Sequence, residues 1–283
     1  MKVTIIGVGL IGGSMAWALR DNAIATHITG VDSSPANAAK ALELGEVDSV
    51  APLDALDEAI AGADLIVLAT PVNAIPALAV KVLNKIAPGQ TVMDVGSTKG
   101  ELAEMTAMHP NRKRLVLTHP MWGTEQSGPE AAVHGGFSGR AVVICDREAS
   151  DPAAVKAVEK LYTRIGMPVI YMTSEEQDMH TAYVSHISHI TSYALALTVM
   201  EKEREQERIF ELASGGFEST VRLAKSPASM WVPILLQNRY NVLDVLRELI
   251  HQLQIFRVMI EKGDAEGLTA AIEKANTIKR IIK

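Results

Sequence analysis

Residues 2–13 read KVTIIGVGLIGG, and this stretch decides the fold of the N-terminal half. An apolar run, VTII, leads directly into Gly7, Gly9 and Gly12 with the spacing G-x-G-x-x-G. Gly7 permits a tight turn, Gly9 lets the backbone approach a pyrophosphate, and Gly12 lets the following helix pack close to the strand. The stretch therefore predicts a strand, a phosphate-binding turn and a helix in direct succession.

An acidic residue stands where such a motif needs one. The next strand-like run, HITGVD, ends in Asp32, twenty positions after Gly12. A carboxylate there can accept both ribose hydroxyls of an adenosine and would repel a 2′-phosphate. No arginine follows it in VDSSPAN, so the pattern favours NAD over NADP. The amides of Leu10 and Ile11, in the first turn of the helix, complete the predicted cofactor contacts. The alternative is a glycine turn beside an unrelated surface aspartate.

Composition limits the possible functions. The chain has 283 residues, of which 48% are hydrophobic, enough for one large domain or two ordinary ones. Its net charge of −6, without long basic runs, argues against nucleic acid as a partner. No uncharged apolar stretch has the length of a membrane helix, and MKVTIIGVGL lacks the layout of a signal peptide, so we expect a cytoplasmic protein. The single cysteine, Cys145, is expected in the core.

The pattern of apolar residues along the chain changes near residue 173. Before it, short apolar runs alternate with helix-like stretches; the runs are VTIIGVG, HITGVD, ADLIVLAT, QTVMDVGS, RLVLTHP, AVVICD and PVIYMT. Most runs are continuous rather than alternating, as strands covered on both faces should be. We therefore predict an α/β fold, with a Rossmann-type, mostly parallel sheet over residues 1–173 that binds the dinucleotide.

Residues 174–283 are predicted to form an all-helical domain. The expected helices are Ser174 to about Gln206, Glu207–Leu212, Ser219–Leu223, Pro227–Lys262 and Asp264–Ile282. Such long apolar helices in so small a segment would struggle to bury themselves alone. Part of their surface is therefore expected to pack against a second subunit, which makes the protein a homodimer through this domain.

Polar residues follow two neighbouring strands of the predicted sheet. Thr70 and Pro71 come after ADLIVLA, and Ser97 and Lys99 come after VMDVG. The carboxyl ends of parallel strands line the ligand crevice of an open sheet, so these residues are candidates for contact with cofactor or substrate. Each also has a simpler interpretation: Pro71 can start a helix, Ser97 can cap one, and Lys99 can be a solvated surface residue.

A histidine ends the next strand, in RLVLTHPMWGT, residues 114–124. His119 should face the same crevice as Ser97 and the nicotinamide. With an ordinary pKa near 6.5, its imidazole can take a proton from a hydroxyl while hydride leaves the same carbon. Pro120 restricts the chain immediately after it. The alternative is a histidine that is hydrogen-bonded within the core.

Four longer motifs carry a resemblance to a known family. GSTKG, HPMWGTEQSG, YVSHISHITSYALA and GGFESTVRLAKSPASMW occur in the order and approximate spacing of the prephenate and arogenate dehydrogenases of tyrosine biosynthesis. The resemblance covers nearly the whole chain. It implies an NAD-binding domain followed by a helical dimerisation domain. It also implies oxidative decarboxylation of prephenate to 4-hydroxyphenylpyruvate, or of arogenate to tyrosine, with reduction of NAD or NADP and without a metal ion.

The resemblance also implies roles for individual residues. His119 would hydrogen-bond the ring C4 hydroxyl and help to remove its proton as hydride passes to the nicotinamide, and Ser97 would hold the same hydroxyl. Arg222 would bind the ring carboxylate as a bidentate partner. Because the substrate is close to a dianion and the chain is net acidic, local cations are needed, and Lys99 is expected to support Arg222. The remaining substrate contacts would be His189 and His186 on one helix face, Glu125 by the mouth of the site, and Trp231 closing one side of the pocket.

The chain departs from common family patterns where the substrate side chain is recognised. Ser219, preceded by Glu218, stands where an aspartate is common, and Gln126 stands where a lysine is common. We expect prephenate to be the substrate, and these departures leave arogenate open as the alternative. Two other functions remain as alternatives: a β-hydroxy acid dehydrogenase of the same two-domain plan, and a non-catalytic NAD-sensing dimer.

Overall fold

A computed structural model describes residues 1–205 and 208–281 of the chain. Its central feature is an eight-stranded sheet built entirely from residues 2–172. The strands are β1 (Lys2–Ile6), β2 (His27–Val31), β3 (Ser49–Ala51), β4 (Leu65–Leu68), β5 (Thr91–Asp94), β6 (Leu115–Pro120), β7 (Val142–Cys145) and β8 (Val169–Met172). All seven predicted runs form strands, and the short strand β3 is an addition that the sequence did not predict.

The sheet has the order β3-β2-β1-β4-β5-β6-β7-β8. Strands β1 to β6 are parallel to their neighbours, whereas β7 pairs antiparallel with β6 and β8 pairs parallel with β7. The predicted mostly parallel sheet is confirmed, with a reversal at β7. Antiparallel pairing sets the beginning of β7 beside the end of β6, since Val142 is opposite Pro120 and Val143 is opposite His119.

Successive residues of the central strands belong alternately to two hydrophobic clusters. Leu65 and Val67 of β4 belong to one apolar cluster, whereas Ile66 and Leu68 belong to another. This period of two arises because side chains of a strand point alternately to opposite faces. Both faces are covered by helices, which explains why the strands read as continuous apolar runs. Cys145 lies fully buried in the second cluster, as expected of a core residue.

Twelve α-helices are present in the described residues. Those that alternate with the strands are α1 (Leu10–Asp21), α2 (Pro35–Glu43), α3 (Leu56–Ala61), α4 (Ile75–Leu83), α5 (Gly100–Thr106) and α6 (Pro152–Ile165). Those that follow are α7 (Ser174–Thr181), α8 (Ile187–Glu205), α9 (Gly215–Val221), α10 (Ala228–Gln237), α11 (Arg239–Lys262) and α12 (Ala265–Asn276). A π-helical turn, Ala182–His186, joins α7 to α8. The predicted boundaries at Gln206, Glu207 and Ile282 lie outside the described residues.

The predicted helix Pro227–Lys262 is wrong in one respect, because it is two helices. Helix α10 ends at Gln237 and α11 begins at Arg239. Asn238, between them, donates its side-chain amide to the carbonyl oxygen of Asp178 at 2.6 Å and to Nδ1 of His186 at 3.1 Å. These tertiary bonds fix the break, and apolar periodicity along α10 and α11 gave no sign of it.

The chain divides into two compact units, Met1–Arg239 and Tyr240–Lys283. All candidate site residues belong to the first unit. The second unit consists of α11 from Tyr240 onward, α12 and a short terminal turn, and many of its apolar side chains are exposed in the single chain, among them Leu243, Ile250, Leu253, Ile260 and Ile272. Among the described residues, no helix combines the length and the apolar character needed to cross a bilayer.

A buried carboxylate in this fold has no hydrogen-bond partner. Glu46 is 1% exposed, and neither of its carboxylate oxygens bonds a group of the described chain. It lies against the first turns of α1, since a Cβ on Gly13 would come within 2.6 Å of its Oε2. Loss of hydration disfavours the charged form, so burial raises the pKa of Glu46 to about 7.

This carboxylate should make stability depend on pH. An unfolded chain releases the Glu46 proton near its ordinary pKa of 4.5, whereas the folded chain keeps it up to about pH 7. The free energy of unfolding therefore falls as pH rises between these values. Glu46→Gln should remove that fall and raise the free energy of unfolding at pH 8 by about 1–2 kcal/mol, measured by urea denaturation. The exposed control Glu104→Gln should change it little; equal effects of both variants would contradict the assignment.

Candidate active site

The glycine loop has the geometry that its sequence predicts. Gly7 adopts a positive φ of 96°, and a Cβ there would approach the carbonyl oxygen of Ala69 to 2.5 Å. A Cβ on Gly12 would lie 1.8 Å from the carbonyl oxygen of Gly7, so strand and helix could not pack as they do. A Cβ on Gly9 would meet no atom within 4 Å. Open space therefore lies over the backbone at the residue where α1 begins.

Asp32 is held at the end of β2 by backbone amides. Its Oδ2 accepts a hydrogen bond from the amide of Val8 at 3.0 Å, and its Oδ1 accepts one from the amide of Ser34 at 2.8 Å. The carboxylate is thus joined to the glycine loop itself. A cavity of about 530 Å³ adjoins it, lined largely by apolar side chains such as Pro35, Leu42 and Leu53.

Thr70 and Pro71 follow β4, next to the glycine loop. The hydroxyl of Thr70 is buried and bonds no group of the described chain, an arrangement that leaves a polar atom for a ligand to satisfy. Pro71 is exposed, and its carbonyl oxygen accepts the amide of Ala74 at 2.9 Å. The idea that Pro71 starts a helix is wrong, because it lies in a turn and α4 begins only at Ile75.

The carboxylate of Asp94 joins the ends of β5 and β6. Backbone pairing between these strands stops at Met93 and Val116. Beyond that point Oδ1 of Asp94 accepts the amide of Thr118 at 3.0 Å, and its Oδ2 accepts the amide of Gly96 at 2.9 Å. A side chain thus replaces the backbone ladder where the strands diverge, immediately before Ser97 and His119.

Lys99 is an internal cation. Its side chain is 0% exposed and forms a buried ion pair with Asp94. The interpretation of Lys99 as a solvated surface residue is therefore wrong, and its ammonium is engaged by Asp94 rather than presented to the crevice as a substrate contact. The sequence did not predict the burial of Lys99, because a lysine is rarely fully buried unless it has a partner.

A single amide connects the two predicted catalytic residues. Gln177 of α7 is 1% exposed, and its Nε2 donates to the carbonyl oxygen of Ser97 at 3.1 Å and to Nδ1 of His119 at 2.9 Å. Ser97 and His119 therefore lie on the same side of the fold, at neighbouring strand ends. Gln177 contacts the backbone of Ser97 and Nδ1 of His119, which leaves the hydroxyl of Ser97 and Nε2 of His119 for a ligand.

The environment keeps His119 neutral. Burial lowers the pKa of its imidazole to about 3, and the neighbouring charges of Lys99 and His186 act in the same direction. A neutral imidazole has one nitrogen lone pair available to accept a hydrogen bond. Across the whole physiological pH range, His119 is therefore uncharged and cannot act as a cation toward substrate.

Two more histidines and a tryptophan form a stack on the helical side. The ring of His189 lies 3.4 Å from that of Trp231, nearly parallel to it, and His186 meets the same tryptophan edge-on at 5.8 Å. Burial lowers the pKa of His186 to about 4, with His189 adding to the effect. Trp231 has a buried indole N–H without a partner in the described chain. The π-helical turn before α8 ends at His186, and such turns often mark functional sites.

Arg222 and Glu125 form an ion pair between the helical segment and the loop after β6. Nη1 of Arg222 lies 3.1 Å from Oε2 of Glu125. The side chain of Arg222 is 54% exposed, so part of it remains open to solvent. Burial lowers the pKa of His189, and the charge of Arg222 contributes. A continuous series of basic groups thus leads from Lys99 through His119, His186 and His189 to Arg222.

Three structural residues of this site escaped the sequence analysis. Asp94 and Gln177 are described above, and Asp178 accepts the amides of Lys99 and Gly100, each at 2.8 Å. Asp94 is the one with a local signal, since it ends the apolar run QTVMD directly before GSTKG. Gln177 and Asp178 sit in the polar stretch SEEQD, where nothing distinguishes them from surface residues of a helix.

Comparison with protein families accounts for this arrangement. The model of the prephenate dehydrogenase nucleotide-binding domain matches residues 15–171, and that of the prephenate dehydrogenase dimerization domain matches residues 173–274. The chain belongs to the prephenate dehydrogenase family. The predicted family, the fold class and the identification as an NAD-dependent oxidoreductase of this family are confirmed.

Individual family members are similar over nearly all of this chain. It is 32% identical to the prephenate dehydrogenase of Bacillus subtilis strain 168, over 95% of this chain and 73% of that protein. It is 28% identical to the cyclohexadienyl dehydrogenase of Zymomonas mobilis, over 99% and 96% of the two chains.

A solved structure of the family is also close to this one. The prephenate dehydrogenase of Aquifex aeolicus, crystallised with hydroxyphenyl propionate and NAD+, has a TM-score of 0.92 and 29% identity, over 100% of this chain and 98% of that one. The arogenate dehydrogenase of Synechocystis has the same fold, with a TM-score of 0.79 and 24% identity over both full chains.

Proposed function

We propose that the chain oxidatively decarboxylates prephenate to 4-hydroxyphenylpyruvate, with NAD as the hydride acceptor. The observation that carries the proposal is that the same site contains a neutral hydrogen-bond acceptor and a cation. His119 is a buried, neutral imidazole beside Ser97, and Arg222 is a partly exposed guanidinium. A neutral acceptor suits a hydroxyl, and a guanidinium suits a carboxylate.

The glycine loop and its surroundings fit NAD. Backbone amides in the first turn of a helix, here Leu10 and Ile11, have no carbonyl partners within the helix and would face the pyrophosphate across the open space at Gly9. Asp32, beside an apolar cavity, would accept the ribose hydroxyls of the adenosine. The unpartnered hydroxyl of Thr70, with Pro71 next to it, would complete the cofactor contacts near the glycine loop.

His119 and Ser97 would act on the ring hydroxyl. When bound at the glycine loop, NAD would supply the acceptor for the hydride of ring C4. Ser97 holds the C4 hydroxyl, and His119 accepts its hydrogen bond at Nε2, which makes the oxygen better able to donate electrons as hydride departs. Loss of CO₂ then gives the aromatic ring, so alignment of C4 with the cofactor and polarisation of the hydroxyl are the main tasks of the protein.

The helical segment would bind the carboxylate end of the substrate. Arg222 is paired with Glu125 in the ligand-free chain, and a substrate carboxylate would compete for the same guanidinium. His189 and His186 would contact the substrate from one helix face, and Trp231 would close the pocket with its unpartnered N–H available as a donor.

The division of labour follows the two family models. We propose that residues 1–173 bind the dinucleotide and that residues 174–283 contribute substrate contacts and the surface of a homodimer. The exposed apolar side chains of α11 and α12 support burial against a second copy. A cytoplasmic location and the absence of a nucleic-acid partner stay predictions from the sequence.

The decisive experiment replaces the histidine at the strand end. His119→Asn should lower kcat for prephenate oxidation by about 10²–10⁴, because general acid–base groups contribute that much, while the Kd for NAD stays within twofold. NADH formation from prephenate and calorimetric NAD binding measure the two effects. His109, a partly exposed histidine that pairs with Asn84, supplies a control: His109→Asn should keep wild-type kinetics.

The same assay separates the alternatives. Faster NADH formation from arogenate than from prephenate would make the chain an arogenate dehydrogenase. NAD binding without oxidation of either substrate would favour a sensor. Oxidation of β-hydroxy acids alone would make the chain a β-hydroxy acid dehydrogenase. Enzymes of that type usually place a catalytic lysine in the helical half, whereas the candidate ligands here are histidines and an arginine.

Arg222 offers a second prediction. Arg222→Ala should raise the KM for prephenate by about 10- to 100-fold, the worth of a charge-assisted hydrogen-bond pair, and leave the KM for NAD nearly unchanged. Arg222→Lys should recover only part of the loss, because an ammonium cannot bind a carboxylate in the bidentate mode. Arg140→Ala, at an exposed position, is the control. Equal changes in both KM values would show that Arg222 does not contact the substrate.

Asp32 governs the predicted cofactor preference. Asp32→Ser should reduce the ratio of kcat/KM for NAD to that for NADP by about tenfold or more, because it removes both the ribose contact and the repulsion of a 2′-phosphate. Asp57→Ser, at an exposed ion pair with Lys85, should leave the ratio unchanged. A constant ratio in Asp32→Ser would mean that the ribose lies elsewhere.

A further inference from the structure

The amide of Gln177 has one orientation that its surroundings allow in the ligand-free chain. Its Nε2 lies near three acceptors, the carbonyl oxygen of Ser97 at 3.1 Å, Nδ1 of His119 at 2.9 Å and the hydroxyl of Thr181 at 3.5 Å, and its two hydrogens are donated to the two nearer ones. Turning the amide by 180° would set Oε1 against the carbonyl oxygen of Ser97, two acceptors with no hydrogen between them. The observed orientation is therefore the favoured one.

This orientation determines where His119 carries its proton. An amide nitrogen is a donor only, so Nδ1 of His119 must be the acceptor, and the neutral imidazole has its single proton on Nε2. His189 shows the opposite case, because its Nδ1 donates to the carbonyl oxygen of Ser185 at 3.1 Å and leaves Nε2 unprotonated. Two histidines of one site are thus held in different tautomers.

The resting tautomer of His119 is unsuited to the proposed step. A protonated Nε2 can donate to the C4 hydroxyl oxygen but cannot accept its hydrogen, and accepting is what hydride departure requires. The form that can accept has its proton on Nδ1 and needs an acceptor beside that nitrogen. Oε1 of Gln177 is buried and without a partner in the described chain, so it can fill this role once the amide turns.

We propose that Gln177 is the positioning residue of His119 and a two-state selector of its tautomer. Its amide nitrogen holds the Nε2–H form in the ligand-free enzyme, and its amide oxygen holds the Nδ1–H form that receives substrate. The exchange conserves protons, since His119 releases one from Nε2 to water and takes one up from water at Nδ1. Turning the amide replaces the hydrogen bond to Ser97 by a contact between two acceptors, so the Nδ1–H form is the minor one until bound substrate donates its C4 hydroxyl to Nε2.

The electrostatic setting makes this selection consequential. The charged and titratable groups that act on His119 are Lys99, directly before α5, and His186, at the end of the π-helical turn. Asp94, at the end of β5, and Asp178, on α7, act on Lys99. Lys99 and His186 both oppose protonation of His119. A doubly protonated imidazole is therefore disfavoured, and the position of the one remaining proton decides whether Nε2 donates or accepts.

The first test reads the tautomer directly. In protein labelled with ¹⁵N-histidine at pH 7, His119 should show a protonated Nε2 and an unprotonated Nδ1, assigned by loss of its signals in His119→Asn. Addition of NAD and 4-hydroxyphenylpyruvate should reverse the two. A protonated Nδ1 in the ligand-free protein, or no reversal on addition, overturns the proposal.

The second test is the pH profile of prephenate oxidation, and it rests on the proposed function. A carboxylate cannot donate to Nδ1, so Gln177→Glu should hold His119 in the Nδ1–H form, whose Nε2 accepts. Because a carboxylate also favours the protonated imidazole, the acidic limb of log(kcat/KM) should move to a pH at least one unit higher. Gln177→Met keeps the shape of the side chain without its polar atoms, so its kcat should fall at least tenfold with the limb unmoved. The exposed control Gln254→Glu should do neither.

Every other pattern of results overturns the assignment, including wild-type kcat in Gln177→Met or coinciding profiles of the Glu and Met variants. If Gln177→Met does not fold, Gln177→Asn replaces it, because its shorter amide cannot reach His119. Failure of the wild type to oxidise prephenate would refute the proposed function alone, since the ¹⁵N spectra still judge the tautomer.

Discussion

The buried carboxylate of Asp94 is the contact on which the site depends. Parallel strands must diverge at their carboxyl ends to open a crevice, and divergence leaves backbone groups without ladder partners. Asp94 satisfies the amides of Gly96 and Thr118 at the point where pairing between β5 and β6 stops. Ser97 and His119 follow directly after the residues that it holds, so their separation is set by one side chain.

Such a carboxylate needs a counter-charge, and Lys99 supplies it. An unpaired charge in the interior is costly, whereas a buried pair with further hydrogen bonds is tolerated. The pairing has a second effect, because the same ammonium opposes protonation of His119. Lys99, which neutralises the buried carboxylate of Asp94 at the junction of β5 and β6, therefore also keeps the imidazole of His119 neutral. Structure and chemistry at this edge of the sheet rest on the same ion pair.

The sequence predicted those parts of the site that local rules determine. Gly7, Gly9 and Asp32 follow from backbone sterics and strand length, and Ser97 and His119 follow from the position of strand ends in a parallel sheet. Other features depend on contacts between distant segments, which no local pattern records. Lys99 was expected either at the ligand crevice or near solvent, because lysine is rarely fully buried without a partner, and its pairing with Asp94 has no local signal. The break at Asn238 arises from its bonds to Asp178 and His186.

Helix α7 explains how a polar stretch outside the motifs controls the chemistry. Thr173 and Glu176 form a reciprocal capping box, which fixes the residue at which the helix begins. That start fixes the rotation of every later side chain about the helix axis. Asp178 then meets the free amides at the start of α5, and its neighbour Gln177 meets His119. A shift of one residue would turn both away by about 100°. The cap of a surface helix is therefore part of the mechanism, because it sets the direction from which one amide reaches the imidazole.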